Sequence, residues 1–402
     1  GIVGGTAELA SLTVDGGGTT LLNAGTVTTA GVQSYTDALT LGANTALVTT
    51  NSNVSFTSTL NSSEALATAG TPAPATLSIT AGTGDVTFGN IVGGATYTAT
   101  NGALGAVTLV SATNVGINAA FTAASLTQQT GSGSGTTTIG GATTLTGALG
   151  FTGGNLVINA AVGAGGAVSF TGSALTVNAA VTAGGAVTVA NTGTFTTSAT
   201  GDINATGAFT QSGAGSNSLA GDVSLTLGSA ALSFATGVTL TGNVVFSTTN
   251  GAATFAEVVD GTADNDQNLT LNAGTGVVTF AKALGAVKKL GDVVANSTGA
   301  TKFQGAVLAK SLTTNAGGST ELSADVTTTA AQSFGDALSL KNNIILSGTD
   351  ITLAQTVNSD GTARTLQVTG SGVTTFGGIV GGTAELASLT VDGGGTTLLN
   401  AG

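Results

Sequence analysis

Short runs of apolar residues in this chain alternate with Thr, Ser and Gly, and the runs repeat. The clearest pair is "LVINAAVGAGGAVSFTGSA" (156–174), followed at once by "LTVNAAVTAGGAVTVANTG" (175–193), an offset of 19 with ten of nineteen positions identical. Leu156/Leu175, Ile158/Val177, Val162/Val181, Val168/Val187 and Phe170/Val189 set apolar on apolar, and Phe151 extends the register upstream to Phe170. Alternation over "LTVNA", "AVSF" and "AVTVA" predicts half-buried strands, and "GAGG" and "TAGG" predict the tight turns between them. Helical repeats need units of about 33 residues or more and good helix formers, which this Gly-, Thr- and Val-rich chain does not supply.

The pattern predicts an all-β fold, a parallel β-solenoid with about 19–20 residues per coil. Each coil makes two or three short strands, and each strand pairs with its equivalent one coil away, about 4.8 Å along the axis. Leu then stacks on Leu, Phe151 on Phe170 and Asn159 on Asn178, the last as a rung of an Asn ladder. Aliphatics fill the interior, Thr and Ser cover the wall, and Gly turns the corners. The strict hexapeptide rhythm of left-handed β-helices and the G-G-x-G-x-D nonapeptides of Ca²⁺ rolls are missing, so a right-handed helix is expected.

Longer repeats overlie the short one. "LSITAGTGDVTFGNIVGG" (77–94), "LTLNAGTGVVTFAKALGA" (269–286) and "LQVTGSGVTTFGGIVGG" (366–382) are variants of one phrase, and residues 11–41 recur loosely as 311–340. Residues 1–25 and 378–402 are identical. The expected organisation is therefore one full period of a tandem array, 1–377, followed by the start of the next, 378–402. One period at this coil length holds about 20 coils and rises roughly 95 Å.

Phrases such as "AGVQSYTDALTLGANTAL", "LTLNAGTGVVTF" and "LTVNAAVTAGGAVTV" resemble the repeat region of giant bacterial surface proteins, of the filamentous-haemagglutinin and autotransporter-passenger type. The resemblance covers essentially the whole chain and rests on repeat style. It implies a secreted right-handed β-helix used as adhesin, stalk or matrix fibre.

Composition excludes several classes. Charged residues make up 6% of 402, hydrophobic residues 41%, and mean hydropathy is +0.43, so the chain is not of the disordered type. No run of about 18 apolar residues predicts a membrane-spanning helix. Cys, Met, Trp and His are all absent, which removes disulfides, thiolate metal sites and most targets of oxidation. These properties suit a protein outside the cell. The net charge is −12, and all seven basic residues (Lys282, Lys288, Lys289, Lys302, Lys310, Lys341 and Arg364) follow residue 281. A nucleic-acid binder needs a basic footprint, so nucleic acid is not an expected partner. The basic stretch predicts a cation-containing band in each period.

Candidate chemistry is sparse. The densest acidic group is "EVVDGTADNDQN", with Glu257, Asp260, Asp264 and Asp266, and its D-x-D spacing is that of oxygen-rich Ca²⁺ loops. The ligand set is incomplete, and "NSDGTART" (358–365) and "NSSEALATAGTPAPA" (61–75) hold the equivalent place without the carboxylates, so a solvated loop is expected there. Without His or Cys the usual base and nucleophile are lacking. Asp202 and Asp222, 20 apart, are the pair that coil stacking would bring together for carboxylate chemistry, although exposed turn positions suit them better. A Thr-x-Thr ice-binding ladder is the other alternative. The pairs Thr26/Thr28, Thr57/Thr59, Thr96/Thr98, Thr144/Thr146, Thr194/Thr196 and Thr239/Thr241 are not one coil apart, and β-propensity accounts for the Thr content. Asn53, Asn61, Asn204, Asn268 and Asn296 open Asn-x-Ser/Thr triplets, a weak glycosylation signal in so Thr- and Ser-rich a chain.

The functional expectation is a structural repeat of an extracellular or cell-surface fibre, bacterial, without catalytic, cofactor or metal site. Its partners would be itself, by end-to-end continuation and lateral bundling, and cell surfaces or polysaccharide. The alternatives are the stalk of a giant adhesin and, further off, a polysaccharide-processing β-helix enzyme.

Overall fold

A computed structural model describes residues 1–63, 74–94, 102–129 and 135–400. Thr96/Thr98 and most of the 61–75 stretch lie outside the described residues. The chain is an all-β parallel β-solenoid of about 18 turns, with 53% of residues in strands and no helix. It divides into two compact units, Gly1–Ile203 and Asn204–Gly402, so the 377/378 repeat boundary falls inside the second.

In the first unit each coil carries three short strands, because apolar runs of three to five residues are separated by Gly-containing corners. The coil Leu149–Gly153, Asn155–Ile158 and Val162–Ala164 is followed by the coil Val168–Gly172, Leu175–Val177 and Val181–Ala183. Pairing is parallel and in register: Phe151 on Phe170, Leu156 on Leu175, Val162 on Val181. The Phe151 and Phe170 rings stack at 5.3 Å and 5°. Asn178 Nδ2 donates to Asn159 Oδ1 at 2.8 Å, the expected rung. Each expectation drawn from the 19-residue offset holds here.

The offset is not uniform, however, and coils stack about 21 residues apart on average. Ser319 pairs with Ala337, 18 residues on, whereas Val244 pairs with Leu269 and Thr45 with Leu77, 25 and 32 residues on. The strands keep their length and register while the corners absorb the extra residues, so the chain makes fewer turns than 19 per coil implies.

The second unit repeats the plan with its own core. Phe234, Phe255, Phe280 and Phe303 form a file of rings 5.2–5.5 Å apart, one per coil. In the first unit Tyr35, Phe56 and Phe88 stack at 5.2 and 5.3 Å. All of these rings are buried. Offset stacking adds about 0.5–1.5 kcal/mol per pair to their burial.

The recurring "AGTG" phrase is a strand–corner–strand unit. Gly82 and Gly274, its first glycines, have φ of 62° and 55°, in the left-handed region that favours glycine. Gly84 N and Gly276 N close the same corner on the carbonyls of Ala81 and Ala273.

Candidate functional site

The acidic loop has a structural occupation. Asp260 is buried, and its Oδ1 accepts the Val287 N–H at 2.9 Å. Asp264 Oδ1 accepts the Lys289 N–H at 2.9 Å, while its Oδ2 lies 3.6 Å from Lys288 Nζ. The Lys289 amide, and after it the Lys288 charge, holds the Asp264 carboxyl below the usual carboxylate range. Asp266 Oδ2 accepts from Gln267 Nε2 at 2.7 Å, and Gln267 Oε1 accepts the N–H groups of Thr262 and Ala263. Glu257 is exposed. The loop's aspartates thus cap backbone donors and a lysine, and no cluster of three or more His, Cys, Asp or Glu with metal-holding geometry occurs among the described residues.

Asp202 and Asp222 are half-buried corner residues, one in each unit. Asp222 Oδ1 accepts the Val245 N–H at 2.8 Å, and the Asp202 carbonyl accepts the Val181 N–H.

These bonds belong to a pattern that spacing arguments missed. At coil corners an Asn or Asp side chain accepts the backbone N–H of the residue that starts the equivalent strand one coil further on. In the first unit Asn53 Oδ1 accepts from Asp85 N, Asp85 Oδ1 from Asn114 N and Asn114 Oδ1 from Thr136 N, at 2.8–3.0 Å. In the second, Asn243, Asn268, Asp325, Asn343 and Asp350 do the same for Asn268, Asp292, Ile345, Thr365 and Val373. Each satisfies a donor that a corner would leave unpaired. The signal was present as Asn or Asp directly before or one residue before a strand. Two of the Asn-x-Ser/Thr asparagines, Asn53 and Asn268, are staples of this kind, and Asn296 donates to Asn272 Oδ1 at 2.9 Å.

Basic residues are similarly engaged. Lys302 and Lys341 flank Glu321 at 3.8 and 3.7 Å, Lys310 meets Asp292 at 3.4 Å, and Arg364 meets Asp360 at 3.1 Å. With Lys288 on Asp264, five of the seven cations have acidic partners within their own unit.

The wall carries hydroxyl columns. On three-residue strands only the middle side chain faces out, and pairing lines up Thr13, Ser34, Ser55, Thr87, Gly116, Thr138, Val157, Thr176 and Thr196. The Thr-x-Thr pairs do not stack as pairs: Thr26 and Thr28 meet Ala46 and Val48, and Thr144 meets Gly163. Where Gly116 interrupts the column, an open polar cleft of about 400 Å³ forms, lined by Asp85, Thr87, Asn114, Asn118, Thr136 and Thr138 among others. Interior voids are small and apolar, about 20 Å³ beside Phe170 and Leu175.

The most developed buried polar group is a Gln that ties two coils together, and it occurs twice. Gln33 Nε2 donates to the Val27 and Val48 carbonyls at 3.1 and 3.0 Å and to Thr29 Oγ1 at 3.3 Å. Gln332 Nε2 donates to the Val326 and Ser347 carbonyls at 3.2 and 2.8 Å and to Thr328 Oγ1 at 3.3 Å. Nearby, Asp37 accepts from Gly18 N and Thr20 Oγ1, and Asp336 from Gly318 N and Thr320 Oγ1. The loose sequence repeat of 11–41 in 311–340 is therefore one network built twice. It differs at one atom: Tyr35 Oη donates to Gln33 Oε1 at 3.0 Å, whereas Phe334 has no hydroxyl and Gln332 Oε1 is buried without a partner.

Comparison with family models, curated proteins and solved structures finds no match. On its fold the chain is a β-helix repeat protein. No helix among the described residues is long and apolar enough to cross a membrane.

Proposed function

We propose that this chain is a structural repeat of an extracellular or cell-surface fibre, a matrix or filament scaffold of bacterial origin without catalytic activity. The reading is carried by the way one 25-residue sequence is used in two places. Near the start, Ile2–Val3, Leu12–Val14 and Thr19–Leu22 form one three-strand coil, and the following coil stacks on it through Thr26, Gln33 and Ala38. Near the end, the same residues as Val380, Ser388–Asp392 and Thr396–Leu399 form a coil that stacks on the preceding one, at Val357, Thr365 and Val373. One segment thus accepts a coil on either edge, with the same strands in the same roles. A solenoid built from this period continues through the boundary without a break in ladder or core.

Composition supports the extracellular part: there is no Cys or Met to oxidise, and few basic residues for proteases to recognise. The occupied carboxylates support a structural role over catalysis, since the aspartates of the densest acidic group are spent on backbone N–H groups and side chains of their own wall. Labelling of intact source cells with an antibody to this chain tests the proposal by electron microscopy. Label along surface or released filaments is expected; label confined to the cell interior would overturn it.

A further inference from the structure

Resting on that reading, we propose that the shared segment is exchangeable between molecules. Residues 379–399 of one chain take, on Thr26–Leu41 of a second copy, the place that the second copy's own residues 2–22 hold. The occupant is a second copy of this chain, and the contact is a strand exchange in which an incoming coil replaces its equal.

Three observations lead there. The competing segments are identical in sequence, so either makes the same side-chain contacts with the receiving strands Thr26–Thr29, Gln33–Tyr35 and Ala38–Leu41. The edge that residues 2–22 use to pair with those strands is the edge that 388–399 leaves without a paired strand among the described residues, its other edge being taken by Thr365–Gly370 and Val373–Phe376. Both copies also expose apolar side chains that a neighbouring coil would cover: Ile2 is 66% exposed and Leu21 59%, while Ile379 is 55% exposed and Leu399 74%.

The balance follows from these facts. Replacing residues 2–22 by 379–399 on the receiving coil exchanges like for like. The gain is that the incoming coil is then paired and covered on both edges instead of one. The displaced segment is held by a single edge, and such coils open first. Because donor and acceptor surfaces lie on different parts of the chain, the contact is heterologous and propagates head to tail.

Cysteine pairs test this cleanly in a chain that has none. Thr390 occupies in the second copy of the segment the place of Thr13 in the first, and Thr13 pairs with Ser34. After exchange, Thr390 of one chain and Ser34 of the next are in-register neighbours about 4.8 Å apart, within disulfide reach. If two chains merely abut, Thr390 faces Thr13 and lies about two strand spacings from Ser34, out of reach. These wall positions are not in the core. The variant Ser34→Cys/Thr390→Cys is expected to form intermolecular disulfide oligomers on mild oxidation, rising with concentration and resolved on a non-reducing gel. Variant Thr13→Cys/Thr390→Cys should remain largely unlinked. Circular dichroism confirms the fold of each variant beforehand. Linkage only in the Thr13/Thr390 variant would mean edge-on stacking without exchange. No linkage in either at any concentration would mean that the chains do not meet there. Either result overturns the exchange and leaves the fibre reading to the labelling experiment.

Discussion

Tyr35 and Phe334 offer an internal experiment on what one buried hydroxyl contributes. Both sit two residues after a buried Gln whose Nε2 makes the same three hydrogen bonds. Only Tyr35 completes the group, through Oη to Gln33 Oε1 at 3.0 Å. Substituting Tyr35→Phe leaves that oxygen as Gln332 Oε1 already is, buried and unpaired. Such an orphan costs about 1–3 kcal/mol. The reverse change, Phe334→Tyr, supplies the missing donor and should return about 0.5–1.5 kcal/mol. In a long stacked array global unfolding mixes many coils, so the local readout is hydrogen exchange by mass spectrometry on peptides spanning 26–41 and 326–340. A loss of 1–3 kcal/mol corresponds to about 5- to 150-fold faster exchange of the first peptide in Tyr35→Phe. Phe334→Tyr should slow exchange of the second about two- to tenfold, with the first unchanged. Unaltered exchange around Gln33 in Tyr35→Phe would refute the reasoning. So would faster exchange around Gln332 in Phe334→Tyr, because it would show that the Phe334 site is filled to the size of a phenyl ring.

Other outcomes follow from the same geometry. Phe255→Ala, in the middle of the ring file with neighbours at 5.5 and 5.2 Å, should cost about 3–5 kcal/mol in urea titration, and a loss under 1 would mean the file is not close-packed. Burial raises the Asp336 carboxyl above its ordinary range, against the opposing bonds from Gly318 and Thr320, so the folded form holds its proton more tightly than the unfolded chain. Its contribution to stability is therefore fully present below the ordinary carboxyl pKa and is lost as pH rises through the raised value. Asp336→Asn should flatten that fall, and a slope equal to the wild type would contradict the assignment. Glu321→Gln, between two partly exposed lysines, should change stability by less than about 1 kcal/mol and reduce its salt dependence, as measured by melting at low and high NaCl.

Strand stacking was legible in the sequence because the period and the core are the same signal: Leu156 sits on Leu175 and Phe151 on Phe170 because each pair recurs at 19 residues. The mean coil length was not legible from that stretch, since it has the shortest corners. Around the acidic loop the same stacking spans 25 residues, from Val244 to Leu269, because the loop is inserted at a corner without disturbing the strands. The loop carboxylates looked like ligand candidates because composition shows charge and not direction; in the fold they turn onto neighbouring N–H groups. Asn53, Asp85 and Asn114 read as ordinary turn residues, and only the coil spacing reveals that each reaches the next coil's backbone. Gln33 and Gln332 were hidden for a similar reason. A Gln within an alternating run has the look of a wall position, and the carbonyls that admit it to the core belong partly to a strand 15 residues away.

The central claim is that the period closes on itself, so that the segment "GIVGGTAELASLTVDGGGTTLLNAG" lies between two coils wherever it joins one period to the next. Hydrogen exchange on filaments in their native assembly measures this directly, through the peptide covering "SLTVDGGGTTLL". The account predicts that its strand amides are protected to the level of the interior coil at Phe151–Phe170. Exchange at the rate of exposed corners would contradict it, because a coil open on one edge frays and a coil continued on both does not.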